Sequence, residues 1–167
     1  TKTYGDIGKK IHTARSRNDQ VLVAMQLYLK DEIQEIKQLV KALFEQYMTL
    51  ADRYKGQLLP GYTHLQIAMP SSFGLWFSAY AEILADEVLL LNTVHTLCDQ
   101  NPLGSAAGYG SSFPIDRYDT TATLGFDSLK YNVVAAQMSR GKLEKNLAQA
   151  IGSLAGTLSR FSMDVCL

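Results

Sequence analysis

The chain has 167 residues, 47% hydrophobic and 19% charged, enough for one substantial core and ordinary for a globular or oligomeric protein. Sixteen Lys and Arg balance sixteen Asp and Glu, so no net field draws the chain to nucleic acid or to an acidic membrane. The two cysteines, Cys98 and Cys166, sit in apolar helical pattern with no CxxC or His-rich cluster to suggest a metal, and free thiols in a reducing compartment are expected.

The chain opens Thr1-Lys2-Thr3-Tyr4-Gly5-Asp6 and closes Met163-Asp164-Val165-Cys166-Leu167. With no charged-then-apolar leader at one end and no helix cap at the other, the expectation is a stretch cut from a longer protein, not a secretory start. It is read as a single helical domain over residues 1–167. The apolar run Ile83 to Leu97 is broken by Asp86, Glu87, Asn92 and His95, which argues against a membrane span.

Polar residues come first. His12-Thr13-Ala14-Arg15-Ser16-Arg17-Asn18-Asp19-Gln20 gathers two guanidiniums, a hydroxyl and an amide just before a long helical pattern. Arg forks and the free N–H groups of a helix start suit a carboxylate or phosphate. The same string also reads as a capping segment, with Ser16, Asn18 or Asp19 as N-cap and the arginines solvated. Both readings stand at this level.

From Val21 to Tyr54 there is no Gly or Pro. Leu29, Ile36, Leu43 and Leu50 recur every seven residues, and Ile33, Val40, Tyr47 and Tyr54 form a second series. Together they predict one helix with an a/d seam, on the order of 50 Å long at 1.5 Å per residue. A helix of that length needs partner helices to cover it. Lys55-Gly56 closes it, and Pro60, Gly61 and Pro70 keep the following segment extended or turned.

That segment holds Pro60-Gly61-Tyr62-Thr63-His64-Leu65-Gln66. His64 is the histidine flanked by turn residues, and imidazole is the side chain suited to moving a proton near neutrality. Thr63 beside it can donate to a substrate carboxylate. A plain loop histidine is the competing reading. His95 reads as a satisfied helical histidine, while His12, near the arginines, stays open.

A second helix is predicted from Ser71 or Ser72, either serving as N-cap, to about Cys98. Leu103 to Ser112 is Gly- and Ser-rich and irregular. Its glycines allow backbone N–H groups to face an anion, though a plain connection explains it nearly as well, and no Walker lysine follows. A short helix is expected over Asp116 to Leu124, and a third long one from Met138 or Lys142 onward. There Gly152 and Gly156, one turn apart, would let a neighbouring helix approach. Tyr131-Asn132-Val133-Val134 is the sole β-like run. The fold class is all-α, an elongated bundle of three long helices.

Taken in order, the motifs resemble those of the argininosuccinate lyases and their delta-crystallin relatives, in the fumarase/aspartase superfamily. His12 to Gln20 resembles the first signature and Pro60 to Gln66 the second. Pro102-Leu-Gly-Ser105 with Phe113-Pro-Ile-Asp-Arg117 resembles the stretch that follows. Arg15-Ser-Arg-Asn-Asp19 separates this branch from fumarases and adenylosuccinate lyases.

The resemblance implies elimination of fumarate from argininosuccinate, leaving arginine, with no cofactor and no metal. It implies substrate binding by Arg17, Asn18, Ser16 and Thr63, catalysis by Thr63 and His64, a homotetramer of long helices, and a cytoplasmic location. The implied partners are the small-molecule substrate and other copies of the chain, with no nucleic acid and no membrane. The family's third signature, the loop carrying its catalytic serine, has no counterpart here and is expected beyond Leu167, so the isolated chain should oligomerise but turn over little substrate. Two departures stand out. Asn132-Val-Val-Ala-Ala-Gln-Met-Ser-Arg-Gly-Lys142 lacks the family's acids, and Ile67-Ala-Met-Pro70 replaces a more polar run. The alternatives are another superfamily lyase, such as one acting on adenylosuccinate, or a catalytically silent structural protein of delta-crystallin type.

Overall fold

A computed structural model describes residues 2–166. Three long helices dominate: α1 (Arg17–Arg53), α2 (Phe73–Cys98) and the helix Lys142–Cys166. Two short ones lie between the second and third, α3 (Arg117–Thr123) and α4 (Val133–Met138), so the third long helix is α5. A 3-10 turn, Gly5–His12, precedes α1. Contacts divide the chain into two compact units. One takes the residues up to Glu32 with His95–Asn146, the other Ile33–Val94 with the residues from Leu147 onward.

In the second unit one series of the predicted seam is core, while Ile36, Leu43, Leu50 and Tyr54 of the seam are only half-buried. Ile33, Val40 and Tyr47 of α1 are buried, as are Tyr80, Leu84, Leu91 and Val94 of α2 and Leu147, Ala150 and Leu154 of α5. Phe161 packs against Tyr47, Trp76 and Tyr80 with ring centroids 4.8, 5.3 and 5.1 Å apart. Aromatic pairs at such distances contribute beyond their buried area. The close helical approach falls at Gly74, where a Cβ would lie 2.6 Å from the Lys55 Cα. At Gly152 and Gly156, by contrast, an added Cβ meets nothing within 4 Å, so the approach expected there is not made among the described residues.

The segment after α1 differs most from the sequence reading. It is an antiparallel hairpin, β1 (Leu58–Thr63) with β2 (Gln66–Ser72), and Ser72 then caps α2 by accepting from the Leu75 N–H at 3.1 Å. Pro60 pairs with Pro70, which a two-stranded ribbon tolerates because each strand has a free edge. The register shifts between Gly61 and Tyr62, so one strand carries an extra residue. The β-like run also resolves differently. Asn132 is an N-cap whose Oδ1 accepts from Val134 and Ala135 N–H at 2.9 Å each, and Val133 begins α4.

The first unit has a polar interior. Asn101, fully buried, donates from Nδ2 to Thr121 and Thr120 hydroxyls at 2.9 and 3.2 Å and accepts from the Leu103 N–H. Lys30 pairs with Asp99 at 2.6 Å and also donates to the Gly125 carbonyl. A two-residue parallel pairing, Gln100–Asn101 with Ser128–Leu129, lies beside this network. Both thiols are free, and burial pushes the Cys98 thiol up to about 11. No helix among the described residues is long and apolar enough to cross a membrane.

Candidate active site

The first motif folds into the start of α1. The chain turns sharply at Ala14 (φ 57°), a conformation unusual for a residue with a Cβ. Ser16 is then the N-cap: its Oγ accepts from the Asn18 N–H at 3.2 Å, while the Asp19 Oδ1 reaches back to the Ser16 N–H at 2.9 Å. This is a capping box, which satisfies two of the helix's orphan donors reciprocally. Of the three N-caps the string offered, Ser16 is the one; Asp19 lies inside the first turn and reaches back to it. Arg15 is committed as well, donating to the Ile11 carbonyl.

Arg17 and Asn18 remain. They occupy the first turn, both exposed, and their side chains make no hydrogen bond among the described residues. An Arg at a helix N-terminus opposes the helix dipole, so its retention there serves stability poorly and suits a bound anion well.

Asp19 is 0% exposed. Its second oxygen, Oδ2, accepts from the Gly104 and Ala106 N–H groups at 3.2 and 3.0 Å. The amides of the Gly-Ser loop do face an anion, and that anion is the chain's own carboxylate. Gly104 (φ +89°) must be glycine, since a Cβ would fall 2.9 Å from the Arg117 side chain.

Arg117 holds the loop from its other side. It donates to the Leu103, Lys130 and Tyr131 carbonyls at 2.9, 2.8 and 3.2 Å. Burial lowers the pKa of this guanidinium, an effect opposed by the Asp19 charge. A cavity of about 130 Å³ borders this junction, lined by Thr13, Arg15, Gly104, Asp116 and Arg117 among others. Sequence reading considered Asp19 only as a cap. The Ser16-x-x-Asp19 spacing signals a capping box, but nothing local signals the loop 85 residues away that its other oxygen binds.

The second motif lies in the other unit, at the hairpin tip. Thr63 pairs with Gln66, leaving His64 and Leu65 as the two-residue turn, with φ 52° and 61°. Positive φ at both central positions is the type I′ pattern, ordinarily made by Asn-Gly. Here it is made by two residues that carry side chains, which costs on the order of 1–3 kcal/mol each. Thr63 and His64 are exposed. The structure thus groups Ser16, Arg17 and Asn18 on one helix turn and Thr63 with His64 on one hairpin tip. No cluster of His, Cys, Asp and Glu that could hold a metal occurs among the described residues.

A sequence profile of the lyase family matches residues 2–167. The chain belongs to the lyase family. Within that family, the argininosuccinate lyase of Bacteroides fragilis is 58% identical over all 167 residues, which amount to 37% of that protein. That of Stenotrophomonas maltophilia is 44% identical over the same span, 39% of its length. The chain therefore spans well under half the length of these relatives. Among solved lyases, EDDS lyase in complex with formate superposes with a TM-score of 0.93 at 26% identity, over 98% of this chain and 33% of that one. A fumarate lyase:delta crystallin from Brucella melitensis gives 0.84 at 22% identity over 98% of this chain and 37% of that one, a likeness of fold alone. The all-α, three-helix reading agrees with these lyase folds.

Proposed function

We propose that the chain carries two of the substrate-binding stretches of an argininosuccinate lyase, which eliminates fumarate reversibly from argininosuccinate and leaves arginine. The observation that carries this reading is the 58% identity to an argininosuccinate lyase across every residue, with both polar motifs presented on exposed, geometrically fixed turns.

In this reaction a base takes the proton on the carbon beside one succinyl carboxylate. The electron pair left behind spreads into that carboxylate, making it dianionic. The C–N bond then breaks on the neighbouring carbon, and an acid protonates the departing nitrogen. Fumarate and arginine result, with no electron acceptor required. Donors that bind the carboxylate more tightly as it gains charge accelerate the step. Arg17, Asn18 and Thr63 are donors of that kind, and Ser16 holds the turn that carries the first two. His64 moves a proton or orients the group that does. The site is completed by residues of other copies in a homotetramer of the long helices, in the cytoplasm, and uses no cofactor.

The test is fumarate release by the protein carrying this chain at its natural length, offered argininosuccinate and adenylosuccinate separately. Release from argininosuccinate, falling about a hundredfold or more in His64→Asn, is expected. Release from adenylosuccinate instead keeps the elimination chemistry and refutes the substrate. No release from either refutes the enzyme reading. The 167-residue stretch alone is expected to release little fumarate.

A further inference from the structure

A helix cap needs one acceptor oxygen at the third position of the first turn. Asp19 supplies that with Oδ1, on the Ser16 N–H at 2.9 Å. The second oxygen has no capping task. It is nevertheless engaged twice, by the Gly104 and Ala106 amides at 3.2 and 3.0 Å, in a fully buried position. An uncharged cap would serve the helix as well without bringing a charge inside the protein, which is costly unless every lone pair is used. The carboxylate therefore does something a cap alone does not require: it fastens the first turn of α1 to a loop far away in sequence.

The loop is itself held. Arg117 grips the Leu103 carbonyl, and Gln137 of α4 donates to the Ser105 Oγ at 2.9 Å and to the Ala106 carbonyl at 3.3 Å. Ser105 is fully buried. Asp19 thus joins the first turn of α1 to a loop held from two other sides, and the residues between it and the Ser16 cap are Arg17 and Asn18. We infer that Asp19 is a positioning residue for the lyase reaction. It fixes Arg17 and Asn18 against the Gly104–Ala106 loop so that their donors meet the substrate carboxylate without reordering. The inference rests on the lyase reading of those two residues.

Asp19→Asn is the direct test in the natural-length protein. The amide has one acceptor oxygen, so either the cap or the loop faces an NH2 group. A donor displaced by even part of an ångström costs heavily at a reacting centre, so kcat/KM for argininosuccinate is expected to fall at least about tenfold. The decisive readout is coupling with Asn18→Ala. If Asp19 acts through Asn18, then Asn18→Ala costs less than half as many fold in the Asp19→Asn background as in the parent. A merely structural Asp19 leaves the two losses multiplicative, and that result overturns the inference, as does an unchanged kcat/KM in Asp19→Asn.

Should Asp19→Asn not accumulate as folded protein, Gln137→Ala carries the test. It loosens the same platform from a half-buried position and is expected to lower kcat/KM about threefold with the same coupling to Asn18→Ala. Multiplicative losses there also overturn the inference. A parent protein inactive on argininosuccinate removes the lyase reading and this inference with it. An active parent insensitive to these changes removes this inference alone.

Discussion

The Glu87 carboxylate of α2, 8% exposed, accepts from the Thr157 hydroxyl of α5 at 2.8 Å and from Ser153, one turn earlier, at 3.0 Å. Two hydroxyls on consecutive turns thus engage one oxygen, Oε1, of a buried acid that makes no ion pair among the described residues. Removing one leaves part of the carboxylate's hydrogen-bonding capacity unmet inside the protein. Thr157→Val is expected to lower stability by about 1–2 kcal/mol, read from the denaturant midpoint at unchanged m-value. Glu87→Leu combined with Thr157→Val should recover much of that loss, because the buried acceptor is gone and the remaining donor, the exposed Ser153 hydroxyl, turns to water. A double variant as unstable as the sum of its parts would contradict this account.

Leu65, 91% exposed at φ 61°, gains nothing from packing and stands in a conformation that disfavours a Cβ. Leu65→Gly should relieve about 1–2 kcal/mol of strain while restoring about 0.5–1 kcal/mol of freedom to the unfolded chain. A net gain of up to about 1.5 kcal/mol in stability is expected by chemical denaturation. A loss of stability would show that the turn is not strained. Under the proposed lyase function, the same variant in the natural-length protein should release fumarate more slowly although it is more stable, a separation that loss of folding cannot mimic.

Tyr80 donates to the Asp164 carboxylate at 2.5 Å, and Trp76 shares the same oxygen at 3.3 Å. Burial first, then the bond and charge of Asp164, push the Tyr80 phenol up to about 12 from its ordinary 10.0. Between those values the unfolded chain has lost the proton and the folded chain keeps it, so the native state binds more protons and stability falls as pH rises. The contribution is complete below pH 10 and gone above about pH 12. Tyr80→Phe should flatten that decline, measured by denaturation at stepped alkaline pH. An equally steep fall in the variant would assign it to other groups.

The long helices were legible in the sequence because their signal is local and repeated. Sevenfold apolar spacing from Leu29 to Tyr54, together with Gly and Pro punctuation, marks α1 and its buried face, and Ile33, Val40 and Tyr47 are indeed buried. The candidate site residues, Arg17, Asn18, Thr63 and His64, stand in short contiguous motifs, but local pattern left each motif open to a capping or plain-loop reading, and it is the resemblance to a family that singles them out. The hairpin was not legible. Every residue of Leu58–Thr63 and Gln66–Ser72 is exposed or half-exposed, so no buried apolar face marks the strands, and the two prolines read as breakers. What joins them is cross-strand backbone pairing, which leaves no trace in side-chain pattern. Asp19 shows the same division within one side chain. Its capping oxygen follows from Ser16 three residues before it, whereas the partners of its other oxygen, Gly104 and Ala106, are brought to it only by the tertiary fold.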